Sequence, residues 1–163
     1  MLFNESHNTN AIAYATQLGL AASCMLSSPR YCRFPVAALG IWTRHAIIQE
    51  QIHFFYDGGG EVQGYLAWAR IRPDTLKKCI TQPEYILHPT EWNEGDILWL
   101  TDFCLLKKYR RYELLALLQQ VFGPETCEVY WASRHNPERD RWMACNLITG
   151  KCFKQTFSCS EPG

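Results

Sequence analysis

The sequence lacks an excess of charge of either sign, a long apolar run and a signal peptide. Its 16 Lys and Arg residues balance 16 Asp and Glu residues, which argues against a nucleic-acid partner recruited by overall charge. No apolar run approaches the length of a transmembrane helix. Residues 1–7 lack the charged and apolar regions of a signal peptide. We therefore expect a cytoplasmic protein with no membrane span.

Cysteines are present, but their spacing does not match a metal site. None of the eight cysteines forms a C-x-x-C pair, so we predict neither a zinc framework nor any other metal site. Cys24 and Cys104 lie within apolar runs, where a free cysteine behaves as a small hydrophobe. Reduced thiols are the expectation for a cytoplasmic protein.

Glycine motifs that bind phosphate are also missing. Three glycines follow Asp57, but the chain has neither G-x-G-x-x-G nor a Walker lysine. The stretch instead predicts the loop of a β-hairpin, because it joins two runs with strand composition.

The remaining pattern predicts one domain over residues 1–163 with a full hydrophobic core. Helices are predicted at 10–26, 73–80 and 109–122, and strands at 36–42, 51–56, 61–69, 97–105, 128–134 and 151–157, the last at a sheet edge. Residues 1–9 and 158–163 are predicted to be disordered tails. This order of elements predicts an α/β or α+β domain, with a mixed, largely antiparallel central sheet flanked by helices.

One carboxylate lies inside the predicted central strand. The run from Ile97 to Leu105 consists of apolar, aromatic and β-branched residues with one carboxylate, Asp102, inside it. An unpartnered carboxylate in a buried strand is costly, so Asp102 must be hydrogen-bonded, paired or functional. The alternative is a position at a sheet edge or bulge that faces water.

Four cations follow that strand, where the best predicted helix begins. We call them the basic cluster: Lys107, Lys108, Arg110 and Arg111. Cations at a helix N-terminus favour anion binding, and a solvated basic turn is the alternative. The GCN5-related N-acetyltransferase fold binds the acyl-CoA pyrophosphate at this place with a glycine-rich loop, which is absent here. The basic cluster therefore predicts a looser surface for a phosphopantetheine arm or an acidic carrier protein.

An ordered set of motifs resembles the toxin-activating lysine acyltransferases, which activate RTX cytolysins such as hemolysin. The set comprises Leu18-Gly19, Ser28-Pro29-x-x-x-x-Phe34-Pro35-Val36, Ala46-Ile47, Tyr65, Ala67-Trp68-Ala69, Glu91-Trp92-x-x-Gly95-Asp96-x-x-Trp99-x-x-Asp102 and Arg134. The resemblance covers roughly residues 17–135. It implies a GCN5-related N-acetyltransferase-like fold and transfer of a fatty acyl group from acyl carrier protein to internal lysines.

The resemblance implies that Asp102 is catalytic, as an orienting group or proton acceptor for the substrate amine. The sequence departs from the family where a catalytic histidine is expected, because Tyr31 fills that position. Tyr31 could act as a base if Arg30 and Arg33 lower the pKa of its phenol, which is otherwise too high at neutral pH. The other expectation is that Tyr31 is a general acid or a positioning group. A further hypothesis is that Cys32 holds the acyl group covalently. The alternative is that Tyr31 is a packing residue in an inactive relative.

Binding roles follow from the same resemblance. Ser28 is expected to hydrogen-bond across the site, and Arg134 and the basic cluster are expected to hold the carrier's phosphate arm. Phe34, Trp68 and Trp99 are candidates for lining the acyl-chain path, with core packing as the alternative for each.

Several alternatives stay open at this point. The acceptor is predicted to be a lysine-bearing protoxin, but lysine or ornithine in a ribosomally made peptide is another possibility. A non-catalytic module that binds a carrier or a partner is the second alternative. Acetyl-CoA, and acyl-CoA in general, is disfavoured as a donor by the glycine-free turn. We expect no permanently bound cofactor, and the resemblance implies a homodimer.

Overall fold

The computed structural model describes residues 5–82, 84–126, 128–133 and 141–156, which form a mixed α/β fold. Its helices are α1 (Glu5–Ser27), α2 (Val36–Leu39), α3 (His45–Ile48), α4 (Pro73–Thr81) and α5 (Arg111–Phe122), with a π-helix at Gly40–Arg44 and a 3₁₀-helix at Pro89–Glu91. Its strands are β1 (Ile52–Tyr56), β2 (Val62–Ile71), β3 (Ile97–Leu105), β4 (Glu128–Ser133), β5 (Arg141–Asn146) and β6 (Cys152–Thr156). None of the described helices has the length and apolar character needed to cross a membrane.

The six strands form one sheet in the order β1-β2-β3-β4-β5-β6. The pairs β1/β2, β4/β5 and β5/β6 are antiparallel. The pair β3/β4 is parallel, with residues 98–100 opposite residues 129–131. A parallel pair needs a crossover, which here contains α5. The prediction of a mixed, largely antiparallel sheet flanked by helices is confirmed.

The chain divides into two compact units. The first comprises residues up to 67 together with 102–108, and the second comprises 68–101 and the residues from 109 onward. In the first unit, α1 buries Ala21, Cys24 and Met25, and Ser28 just beyond its end is also buried. This spacing of three and four residues is the core-facing stripe of a helix. The prediction of a single domain over residues 1–163 stays a prediction.

Several predicted elements are confirmed, with small shifts at their ends. The central strand has the predicted bounds, and α5 begins two residues after the predicted helix start. The hairpin loop after β1 is closed by a hydrogen bond from Asp57 N–H to Glu61 O at 3.0 Å. Gly60 there has a φ of +84°, a conformation that glycine adopts readily. α1 begins at Glu5, before the predicted start at Asn10.

The strand predicted at residues 36–42 is wrong, because that segment is helical. α2, the π-helix and α3 follow one another from Val36 to Ile48. Pro35 has extended dihedral angles and precedes the first turn. A short apolar run does not distinguish a strand from a buried helix. The alanines and the leucine after Val36 favour helix more than strand.

The expectation of reduced thiols is wrong for two cysteines. Cys145 on β5 and Cys152 on β6 form a disulfide, and they are register partners in the antiparallel pair. β5 was not predicted, so nothing in the sequence spacing placed these residues opposite each other. Cys24, Cys79 and Cys104 are free and buried, whereas Cys32 is free and exposed.

Candidate active site

Asp102 is buried in the first unit and held by two phenols. Its side chain on β3 is 6% exposed. The Tyr31 hydroxyl donates to Oδ1 at 2.7 Å, and the Tyr65 hydroxyl donates to Oδ2 at 2.6 Å. Short O–H···O⁻ bonds of this kind are about twice as strong as neutral ones. The buried carboxylate is therefore fixed in orientation through both of its oxygens.

A tight turn after α1 brings Tyr31 to this carboxylate. The N–H groups of Tyr31 and Cys32 both donate to Ser28 O, at 3.1 and 3.0 Å, and Phe34 N–H donates to Tyr31 O at 2.9 Å. The Tyr31 hydroxyl also lies 2.9 Å from Phe103 O. A hydroxyl has a single proton, so these two oxygens compete for it.

A close approach of β2 to β3 brings Tyr65 to the same carboxylate. Leu106 N–H donates to Gln63 O at 2.9 Å. A side chain at Gly64 would place its Cβ 2.5 Å from Cys104 O, so this position requires glycine. Tyr65 itself is 0% exposed. Tyr65 belongs to the motifs that carry the family resemblance, but no role was predicted for it, although a tyrosine after glycine in a buried strand was a usable signal.

Burial and the Asp102 carboxylate control the chemistry of both phenols. Burial, and then the negative charge and hydrogen bond of Asp102, raise the pKa of Tyr31 far above its usual value. The same causes in the same order raise the pKa of Tyr65. Arg30 acts in the opposite direction on Tyr31, but its effect is smaller than that of burial. The expectation that Arg30 and Arg33 lower the pKa of Tyr31 is wrong, and the phenol stays protonated.

Ser28 and Cys104 complete the buried polar part of the site. Burial raises the pKa of the Cys104 thiol to about 12, Asp102 adds to that rise, and a hydrogen bond with Ser28 opposes it. A buried thiol with this pKa is a poor nucleophile. Ser28 is buried and interacts with Cys104, and its predicted hydrogen bond across the site stays a prediction.

Three aromatic rings pack edge to face beside the carboxylate. The Tyr31 ring centroid lies 5.5 Å from that of Phe34 and 6.1 Å from that of Trp42, and the last two are 5.2 Å apart. Phe34 is 38% exposed. We call this group the aromatic triad. It connects the buried phenol of Tyr31 to the exposed ring of Phe34.

Cys32 points away from this cluster of buried groups. It is exposed, and its thiol donates to Pro29 O at 3.6 Å. The turn therefore buries the side chain of Tyr31 and exposes that of its neighbour Cys32.

Two predicted acyl-lining residues belong to the second unit. Trp99 is buried and is the register partner of Tyr130 in the parallel pair. Trp68 packs edge to face on Phe122 of α5, with ring centroids 5.1 Å apart. These contacts favour core packing for both tryptophans.

The basic cluster lies in the exposed connection between β3 and α5. All four cations are exposed. The helix begins with a capping interaction in which Glu113 Oε2 accepts from Arg110 N–H at 2.6 Å. One amide group at the start of the helix is therefore already hydrogen-bonded to a carboxylate. The Arg111 guanidinium reaches Gly150 O at 3.4 Å. Arg134, the remaining predicted phosphate-binding residue, lies outside the described residues.

The motif before β3 has a structural explanation in the second unit. Glu91 accepts from Lys78 Nζ at 3.0 Å, from the Tyr85 hydroxyl at 2.7 Å and from His88 N–H at 2.8 Å. A Cβ at Gly95 would overlap the backbone carbonyl of Ile71. Both residues therefore secure the loop that leads into β3, the strand that carries Asp102.

Metal chemistry has no support among the described residues. In the ranges that the structure covers, no group of three or more His, Cys, Asp or Glu side chains is placed to hold an ion. The candidate site combines one carboxylate with two phenols and a guanidinium whose charge reaches Tyr31 and Asp102, and groups of this kind can accept protons, donate protons and orient a nucleophile.

The mixed α/β fold is consistent with the GCN5-related N-acetyltransferase type, and its first unit contains a cluster centred on the Asp102 carboxylate. The sequence matches the model of the RTX toxin acyltransferase family over residues 10–143, which is most of the chain. The protein belongs to the RTX toxin acyltransferase family. No curated protein matches the sequence significantly.

Proposed function

We propose that this protein moves a fatty acyl group from the thioester of an acyl carrier protein to the side-chain amine of lysine in a protoxin. The observation that carries this proposal is the buried Asp102 carboxylate, oriented by two phenols in a chain that belongs to an acyltransferase family. The proposed partners are the carrier protein and a lysine-bearing protoxin.

The proposed reaction is a direct transfer. The lysine amine nitrogen attacks the thioester carbonyl carbon, a C–N bond forms and the C–S bond breaks. Asp102 accepts the proton that the amine loses, since an ionised carboxylate acts only as an acceptor and can take up a proton. The leaving sulfur takes up one proton, so the free thiol and the amide form without any oxidant or reductant.

Tyr31 supplies a proton donor in this scheme and not a base. Its raised pKa keeps the phenol protonated, and its hydroxyl already reaches two acceptors. Donation to the leaving sulfur, followed by return of the proton from Asp102, restores the starting state. Arg30 is close enough to act on Tyr31 and Asp102 electrostatically, and a positive charge there favours the neutral, nucleophilic form of a substrate amine.

The proposed donor is an acyl carrier protein rather than acyl-CoA. The basic cluster is exposed and contains no glycine, so it suits an acidic protein surface better than a tightly enclosed pyrophosphate. We assign the phosphate arm to the basic cluster and Arg134, and the acyl chain to the aromatic triad. The thioester carries the activated group, so no permanently bound cofactor enters the scheme. A homodimer and a cytoplasmic location belong to the same proposal.

The test is intact-mass spectrometry of acceptor peptides after incubation with a panel of acylated carrier proteins and matching acyl-CoA thioesters. We expect a fatty acyl increment on a peptide lysine with carrier-bound donors, and its loss in Asp102→Asn. Ornithine-bearing peptides form a second acceptor arm, which separates a peptide-modifying enzyme from a protoxin-modifying one. No increment with any donor, together with measurable carrier binding, would replace this proposal with a non-catalytic carrier-binding module.

A further inference from the structure

The two phenols that hold Asp102 are anchored differently. Tyr65 lies on β2, is fully buried, and follows the glycine that allows β2 to approach Cys104 O on β3. Tyr31 lies on a turn and packs against the part-exposed Phe34. The Tyr65 hydroxyl donates to Oδ2, whereas the Tyr31 hydroxyl is shared between Asp102 Oδ1 and Phe103 O.

We infer that Tyr65 is a positioning residue that fixes the Asp102 carboxylate, and that Tyr31 is the phenol that exchanges hydrogen bonds during the reaction. This inference rests on the proposed function, since it divides the roles within the same site. A carboxylate held at Oδ2 by a strand keeps Oδ1 directed towards the turn. The phenol on that turn is then free to change acceptor without loss of the carboxylate's orientation.

Among the residues that the structure describes, the Tyr65 hydroxyl has no second polar contact of this kind. Its hydroxyl donates to Asp102 at 2.6 Å, the shortest of the three phenol distances in the site. Its ring is also tilted against Phe54, with centroids 6.1 Å apart, which sets the direction of the hydroxyl. A phenylalanine keeps this ring packing and removes the hydrogen bond alone.

The first measurement compares the steady-state kinetics of the wild type with those of Tyr65→Phe. We expect kcat to fall about 10- to 100-fold, the scale of a misplaced reacting group, while KM for the acyl carrier protein changes by less than about twofold. The acidic limb of the kcat profile should move to higher pH, because the carboxylate loses a donor that stabilises its ionised form. Tyr31, Cys104 and Arg30, which also interact electrostatically with this carboxylate, are unchanged in the variant.

Tyr130→Phe is the matched control. Tyr130 is also a strand tyrosine whose hydroxyl donates to a carboxylate, Glu128, at 2.6 Å, but it belongs to the second unit. This variant should keep the wild-type kcat and pH profile. A wild-type kcat and an unshifted pH profile of kcat in Tyr65→Phe would overturn the inference, because Tyr65 would then contribute only to packing.

A second measurement does not depend on activity. In protein labelled with ¹³C-aspartate and assigned with Asp102→Asn, the Asp102 carboxyl signal should titrate at a higher pH in Tyr65→Phe than in the wild type. An identical titration would overturn the inference. If the wild type transfers no acyl group, the proposed function fails, and this titration still decides whether Tyr65 controls the carboxylate.

Discussion

Two buried carboxylates in this protein have tyrosine donors but different surroundings. Glu91, 9% exposed, accepts from a phenol, from a backbone amide and from the Lys78 ammonium. Asp102 accepts from two phenols. Glu91 lies in the loop before β3, and Asp102 lies near the end of that strand. Each carboxylate belongs to a different compact unit.

The difference indicates how a structural carboxylate differs from a reactive one. An ion pair and a backbone donor keep Glu91 charged, and they also commit its oxygens to the loop that they hold. Asp102 is oriented by two phenols and feels the charge of Arg30, and as an ionised carboxylate it can take a proton from a substrate. We therefore expect replacement of Glu91 to affect mainly stability and replacement of Asp102 to affect mainly turnover.

The largest expected effect is the difference in acyl-transfer rate between a variant of Asp102 and a variant of Glu91. Asp102→Asn should lower acyl transfer at least about 1,000-fold, because it removes the proton acceptor and leaves one phenol without its partner. Glu91→Gln should change kcat by less than about threefold. Both rates are measured by the mass increment on a lysine peptide, with circular dichroism to establish that each variant is folded. A loss of similar size in Glu91→Gln would contradict the contrast between the two sites.

A pair of glycines provides the next comparison. Gly64→Ala places a methyl group against Cys104 O beside Tyr65, and Gly95→Ala places one against the backbone of Ile71. Overpacking of this kind costs about 1–3 kcal/mol, so both variants should lose stability in urea unfolding. Gly64→Ala should also lose about tenfold in kcat, because β2 carries the Tyr65 donor to Asp102.

The control in this pair is the rate of the folded Gly95→Ala protein, measured well below its unfolding transition. It should lie within about threefold of wild type. A wild-type rate for Gly64→Ala would show that the approach of β2 to β3 does not position the site.

The hydrogen bonds of Glu91 should make the free energy of unfolding depend on pH. Burial alone would raise the pKa of the Glu91 carboxyl, but hydrogen bonds from Tyr85 and His88 and the charge of Lys78 outweigh it and lower the pKa. A lowered folded-state pKa adds stability above the unfolded value of about 4.3. That stability is lost as the pH falls below this value and through the folded pKa.

The measurement is the free energy of unfolding of wild type and Glu91→Gln between pH 7 and pH 3. At pH 7 the variant should be less stable by about 1–3 kcal/mol, the cost of disrupting buried hydrogen bonds. The gap should narrow below about pH 4, since glutamine has no proton to gain. A gap that stays constant over this range would assign the loss to packing rather than to charge.

Sequence patterns predicted those elements that periodicity and turn residues define without ambiguity. The central strand and α5 were found because a long apolar run and a leucine-rich face are bounded by turn residues and by Gly123-Pro124. The helical segment that begins at Val36 was mistaken for a strand, because a short apolar run fits both structures. β5 was missed because its polar residues, Arg141 and Asn146, surround a short core of mixed composition.

For the site, the sequence predicted the carboxylate but not its environment. Asp102 was found as a lone charge in a buried run, and Tyr31 through the family resemblance. Asp102 lies 37 residues after Tyr65 and 71 residues after Tyr31 along the chain. Only the fold brings the three side chains together. The direction of the shift in the Tyr31 pKa was predicted wrongly, because the neighbouring arginines are visible in the sequence and the burial of the phenol is not.

The smallest expected effect concerns Cys32. If the transfer is direct, Cys32→Ser should change the rate by less than about threefold, because this exposed thiol donates to Pro29 O and lies on the outward side of the turn. The neighbouring Tyr31→Phe removes the buried phenol on the inward side and should reduce kcat far more. Intact-mass spectrometry of the enzyme during turnover supplies the check. An acyl increment on Cys32 that forms and decays at the rate of peptide acylation would establish a covalent relay. Asp102 would then act in the second step, the transfer of the acyl group from Cys32 to the lysine amine.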